Sequence, residues 1–131
     1  MKTETAEEWR DVKGWEGYYQ VSNLGRVRRL YITKPPKVLR YLDNGNGYAT
    51  VQLARPRVKE KCDYLVQRRL VHRLVAIAFQ EICGRKWGKR NEVDHIDANR
   101  MNNIATNLRW VTHQQNMDYK NEKRLPDIEI I

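Results

Sequence analysis

Between Val93 and Asn116 the chain reads VDHIDANRMNNIATNLRWVTHQQN, with two His and five Asn in twenty-four residues. Asn is a poor helix former and a poor strand former, so this density excludes one long regular element here. The stretch divides into four pieces instead. EVDHI reads as a short strand. DANRMNNIATN carries no apolar stripe and reads as a loop. Its Asp, Asn and Thr side chains can bond neighbouring backbone groups, which holds a long loop rigid without a core. LRWVT reads as a second strand, with Leu108 and Trp110 on one face. Thr112 is a good N-cap for a helix through HQQNMDYKN. The predicted order is strand, ordered loop, strand, helix.

Such a unit can carry a single-metal phosphodiesterase site. Hydrolysis needs a general base that works near neutral pH, and His is the side chain suited to it. It also needs a hard divalent cation held by oxygen, and Asp and Asn supply one charged and one neutral oxygen. Asp94 and His95 are adjacent on the first strand, and Asn116 lies on the helix that follows the second. Asn107 is placed to reach His95 and fix its tautomer and orientation. Ideal strand alternation sends Asp94 and His95 to opposite faces, so the strand must twist or end there.

The preceding chain reads as small β elements and one helix. YYQVS and RVRRL flank the turn former NLG, giving a hairpin from about Tyr18 to Leu30. Trp9, Trp15, Tyr18 and Val21 are expected to cover one side of it. Pro35 and Pro36 stop any regular element, and NGNG at 44–47 is a strong turn signal. YATVQLARP alternates, with Ala49, Val51 and Leu53 on one face and Thr50 and Gln52 on the other. CDYLVQRRL is its expected partner across a charged loop. In LVHRLVAIAFQEI, Leu70, Leu74, Ile77 and Ala78 fall on one helical stripe, which Gly84 ends.

Charge then narrows the partner. Lys and Arg number 25 against 16 Asp and Glu, a net +9. From Arg55 to Glu92 there are eleven Lys or Arg against four Asp or Glu, a net +7. That concentration points to a phosphate-binding surface on nucleic acid. No apolar run approaches the ~20 residues of a membrane span, and MKTETAEEWRD has no apolar signal core. The expected location is the cytoplasm. Cys62 and Cys83 form no C-x-x-C and read as two reduced thiols, not a zinc site. Charged residues reach 31% and mean hydropathy is −0.83, so the core should be small.

Asp94-His95, with Asn107 twelve positions after His95 and Asn116 nine further, resembles the HNH endonuclease motif of phage and intron homing endonucleases. VHRLVAIAF is similar to its usual lead-in. EEWRDVKGWEGYYQVSNLGRVRRL resembles the NUMOD4 module that commonly precedes it. The resemblance implies an α+β fold with a ββα-metal (His-Me finger) motif, preceded by small β-hairpins and one amphipathic helix. It implies a NUMOD4-like module and linker over 1–47 and a nuclease domain over 48–131. The implied roles are His95 as general base, Asp94 and Asn116 as ligands of Mg2+ or Mn2+, and Asn107 as the residue orienting His95. The implied substrate is double-stranded DNA, left with 5′-phosphate ends. Ala98 stands where the family usually has Gly. The chain runs fifteen residues past Asn116 and is expected to lack the C-terminal DNA-reading helices of larger relatives.

Arg26, Arg28, Arg68, Arg69, His72, Arg73 and Arg100 are the expected DNA contacts, and His113 a possible accessory to the metal. Asp97, Asn102 and Asn103 read as loop-holding residues, and the four Trp as core. The competing reading is a non-catalytic or RNA-directed nucleic-acid-binding protein that uses the basic surface alone.

Overall fold

The structure is a computed structural model that describes residues 6–58, 63–85 and 88–124. The expectations for Cys62 and Trp87 lie outside those residues. Strands β1 (Trp9–Asp11), β2 (Tyr19–Ser22), β3 (Val27–Arg29) and β4 (Lys37–Val38) form an antiparallel sheet in chain order. The expected hairpin is β2–β3. Its buried face carries Tyr19 and Val21, two residues apart, with Val27 opposite. Tyr18, expected inward, is out of phase with Val21 and remains 36% exposed. Trp15 is buried as expected, whereas Trp9 is half-buried beneath the guanidinium groups of Arg28 and Arg26.

β5 (Leu42–Asp43), β6 (Ala49–Val58) and β7 (Asp63–Leu70) form a second antiparallel sheet. The NGNG turn joins β5 to β6, and the side chains of Asp43 and Asn44 accept its backbone N–H groups. Ala49, Val51 and Leu53 face inward as the alternation requires. Thr50, on the other face, is buried as well, and its hydroxyl donates to Leu42 O at 2.8 Å. The third strand, β5, pairs along the edge of β6, with Leu42 opposite Thr50 and Asp43 opposite Ala49.

α1 (Val71–Ala78) leaves β7 without a linker. It buries Val71, His72, Leu74, Val75 and Ala76, a broader face than the expected stripe. Leu70 closes β7, while Ile77 and Ala78 are only partly buried. The helix packs on β2, β6 and β7 and on the C-terminal hairpin, so more than one face is covered. The backbone breaks at Phe79, α2 (Gln80–Cys83) follows, and Gly84 ends it at φ +82 with its N–H on Gln80 O. Among the described residues no helix is long and apolar enough to cross a membrane.

β8 (Arg90–His95) and β9 (Leu108–Thr112) form the predicted hairpin, joined by an irregular loop with one 3₁₀ turn at Ala105–Asn107. α3 (His113–Arg124) starts directly after β9 and packs on both strands. The predicted order of strand, loop, strand and helix is therefore the one observed. A single core runs from Val12 to Trp110. Arg10 clasps the first sheet to the helices: it pairs with Glu81, donates to Ala78 O at 2.8 Å and lies over Phe79. Cys83 is a buried thiol whose Sγ donates to Ala105 O, and burial pushes its pKa up to about 11, which makes it a packing group.

Candidate active site

β8 ends at His95, and this resolves the alternation problem. Asp94 is paired opposite Arg109 and His95 opposite Leu108, yet both side chains are buried, at 4% and 5% exposure. Both line one cavity of about 290 Å³, together with Tyr48, Val93, Ala98, Arg100, Asn116 and Lys120. The chain turns sharply after His95, with Ala98 N–H donating to His95 O at 2.9 Å. Ala98 has φ +66, the left-handed region that favours Gly. The Gly-to-Ala departure seen in the sequence therefore falls on a strained position.

The loop is held by its own side chains. Asp97 accepts from Asn99 N, Asn102 Nδ2 and Asn107 Nδ2, and these bonds keep its carboxyl below the usual range, Asn102 contributing most. Asn107 Nδ2 also donates to Asn102 O at 2.9 Å, and its Oδ1 accepts from Asp97 N at 3.0 Å. The expectation that Asn107 holds His95 directly is corrected here. Its amide bonds the loop at both ends, and its backbone carbonyl accepts from Ile96 N at 2.8 Å, which fixes the backbone next to the ring. The ring is met by Asn103, which the sequence offers as a loop residue only. Asn103 is 3% exposed, and its Oδ1 lies 2.8 Å from His95 Nε2. An oxygen there makes Nε2 the protonated nitrogen, so the lone pair of the neutral ring is on Nδ1.

His72 packs edge-on to His95, with centroids 5.1 Å apart, and Tyr48 lies against both rings. His72 is 7% exposed. Burial, with the charges of His95 and Arg73 adding to it, pushes its pKa down to about 3. It is a neutral wall beside His95, on the catalytic face and not on an open surface.

The two predicted ligands are each aimed by a partner that sequence reading missed. Asp94 Oδ2 accepts from Arg109 Nε and Nη2, both at 2.9 Å, and the guanidinium stacks on Tyr119. Asn116 Nδ2 donates to Glu92 Oε1 at 2.8 Å, and Glu92 Oε2 meets His113 Nδ1 at 2.8 Å. The bond from Asn116, then that from His113, lowers the Glu92 pKa against its desolvation. His113 thus faces Glu92 and not the cavity lining. Glu92 was findable, since period two puts it on the face of Asp94; Arg109 follows only from the hairpin register.

Because Glu92 can only accept, the Asn116 amide is fixed with its oxygen turned away from Glu92. That oxygen is buried without a hydrogen-bond partner. The other orphaned buried side-chain atoms among the described residues are His72 Nδ1 and Asn103 Nδ2. All three belong to residues that touch His95 or share its cavity. An unsatisfied amide oxygen beside a carboxylate fits a hard divalent cation. No group of three His, Cys, Asp or Glu able to hold a metal occurs among the described residues; Asp94 and Asn116 are the two expected oxygen donors that line this cavity.

Of the expected DNA contacts, Arg100 alone lines this cavity; it donates to Asn46 O and lies over Tyr48. Lys120, missed in the sequence, lines it from α3. Arg68, Arg69 and Arg73 border a second cavity of about 330 Å³ with Lys13. Arg73 is partly tied to Asn91 O and stacks over Trp110. Arg26 pairs with Glu7 and Arg28 with Gln20 on the first sheet.

Residues 7–54 match the NUMOD4 motif, and residues 69–118 match the HNH endonuclease family. The chain is 42% identical over 111 residues to DNA endonuclease I-HmuI of Bacillus phage SP01, covering 85% of this chain and 56% of that protein. It is 31% identical over 122 residues to the uncharacterized HNH endonuclease L247 of Acanthamoeba polyphaga mimivirus, covering 92% of this chain and 27% of that one. A solved structure, described as DNA binding and cleavage by the HNH homing endonuclease I-HmuI, superposes with a TM-score of 0.69 at 39% identity. It is matched over 88% of this chain and 59% of its own. The chain thus spans little more than half the length of the phage relative, and about a quarter of the mimivirus one.

Proposed function

We propose that the chain is an HNH-type, metal-dependent DNA endonuclease of the homing type, a reading supported by the HNH endonuclease match over residues 69–118 and the NUMOD4 match over residues 7–54. The observation that carries the reading is the orphaned oxygen of Asn116, which shares a cavity with Asp94 and with a His whose tautomer is fixed.

His95 is the general base. With Nε2–H given to Asn103, its Nδ1 takes the proton of the attacking water, and His72 keeps that side of the ring dry and uncharged. Asp94 and Asn116 are the residues that would hold a divalent metal, proposed as Mg2+ with Mn2+ as substitute. When bound, the metal stabilises charge developing on the phosphate and on the leaving 3′ oxygen. Arg109 holds Asp94 in place and Glu92 holds Asn116. Arg100 and Lys120 reach the phosphate from the other walls of the cavity. Asn107 keeps the loop between the strands in one conformation.

The substrate is double-stranded DNA, with 5′-phosphate products. The basic rim at Lys13, Arg68, Arg69 and Arg73 takes further backbone phosphates, and Arg26 and Arg28 carry the surface onto the first sheet. Residues 1–47 act as a DNA-contacting module and 48–131 as the nuclease. The proposed location is the cytoplasm of a bacterial host. Purified protein should nick or cut supercoiled plasmid in Mg2+ and bind it without cleavage in EDTA. His95→Ala should bind normally and cleave at least ~10²-fold more slowly. Full cleavage in EDTA would eliminate this mechanism, and binding without cleavage in any divalent metal would favour the non-catalytic reading.

A further inference from the structure

The residue that holds His95 is itself seated on the other end of the chain. Asn103 packs against the β2–β3 turn at Gly25. A Cβ built on Gly25 would lie 2.9 Å from Asn103 O and 3.0 Å from its C and Cβ. Two residues on, Ala105 N–H donates to Asn23 O at 2.8 Å. The loop from Ile96 to Ile104 is otherwise mostly exposed, and Asn103 is the buried residue within it.

The turn that provides this seat is firmly held. Ser22 Oγ accepts from Leu24 N and Arg26 N, and Gly25 N–H donates to Ser22 O. Asn23 is 6% exposed; its Oδ1 accepts from Glu8 N at 2.7 Å and its Nδ2 donates to Ala6 O. Tyr41 donates its hydroxyl proton to Gly25 O. Gly25 has φ +86, a conformation that glycine adopts without strain. The same residue therefore meets two demands: the turn needs its backbone angle, and Asn103 needs the space where a side chain would be.

We infer that the Ser22–Gly25 turn is a positioning element of the nuclease site, which fixes His95 through Asn103. It rests on the reading of His95 as the base. The N-terminal module is then required for the cleavage step and not for DNA binding alone. Adding one methyl at Gly25 forces the Asn103 backbone away by about half an ångström to reach ordinary contact. Productive geometry tolerates roughly that much and no more, so a loss of about tenfold in rate is expected.

The chain carries its own controls. Gly14 and Gly17 have φ +85 and +84, and a Cβ on either meets nothing within 4 Å. Gly14→Ala and Gly17→Ala thus impose the same backbone strain as Gly25→Ala without touching Asn103. Three readouts are needed: the single-turnover cleavage rate, plasmid affinity in EDTA, and the imidazole 15N signals of His95, assigned with His95→Ala. Gly25→Ala should cut the rate about tenfold, shift the His95 signals and leave affinity within about threefold. The two controls should keep rate and signals. If Gly25→Ala does not fold, Asn23→Ala loosens the same seat without left-handed strain, and should move the His95 signals in the same direction. Unchanged His95 signals in the folded variant, or equal losses in all three glycine variants, would overturn the inference. Should the wild-type protein cleave nothing, the nuclease reading fails, while the 15N signals still decide whether the turn sets the His95 environment.

Discussion

Glu92→Ala tests how Asn116, the proposed second metal ligand, is oriented. Asn116 turns its amide oxygen away from Glu92 because its NH2 group is held there at 2.8 Å. A flip of the amide would place carbonyl against carboxylate, which is repulsive. A hydrogen bond to a charged group contributes ~1.5–3 kcal/mol. The Glu92 side chain is 35% exposed, so the lower end applies. Near 1.4 kcal/mol, the loss corresponds to about tenfold in metal affinity, at the low edge of the 10–100-fold typical of outer-sphere partners. The assay is plasmid cleavage across a Mg2+ titration. The half-saturating Mg2+ should rise roughly tenfold in Glu92→Ala, while the rate at saturating Mg2+ recovers most of its wild-type value. His113→Ala leaves the Asn116 bond intact and should shift the titration much less. An unchanged half-saturating Mg2+ in Glu92→Ala, with the loss confined to the saturated rate, would refute the idea that Glu92 acts through Asn116.

Other outcomes follow from the same geometry. Arg68→Gln with Arg69→Gln should lower the slope of log affinity against log salt by roughly 1–2, about one for each phosphate left unneutralised; an unchanged slope places the phosphate-binding surface elsewhere. His72 is held neutral with its pKa lowered to about 3, so the unfolded chain binds the extra proton below about 6.5. Stability should therefore fall as pH drops below 6.5, by up to ~1.4 kcal/mol per pH unit, and His72→Phe should flatten that limb in urea unfolding across pH 4–7. Ala98→Gly should raise stability by ~0.5–1 kcal/mol, since relief of the left-handed strain exceeds the entropy of Gly; a lower unfolding midpoint would contradict it.

Much of the site was legible in the sequence because it is built from local elements. Strand, Asn-held loop, strand and capped helix follow from propensity and side-chain chemistry within twenty-four residues. That order alone brings Asp94, His95 and Asn116 close together. The loop could be recognised as ordered because its Asp and Asn side chains bond within a few residues. The hairpins at 18–30 and 49–70 were legible for the same reason, since turn chemistry and period-two patterning are local. Phase was less secure: patterning gives Tyr18 the place that Tyr19 holds, because adjacent tyrosines look alike until one faces a core.

What only the tertiary structure decided is who touches His95. Asn102, Asn103 and Asn107 are chemically equivalent in the sequence, and each can reach a ring or a backbone. Packing separates them. Asn107 is held by Asp97 and Asn102, whereas Asn103 is pressed inward by Gly25, seventy-eight residues earlier in the chain. His72 likewise became a neutral partner of His95 because α1 is covered by the N-terminal sheet and by the β8–β9 hairpin. Propensity and spacing act over a few residues, so they specify which groups are offered. Burial and van der Waals contact act between segments far apart in sequence, and they specify which of those groups meet.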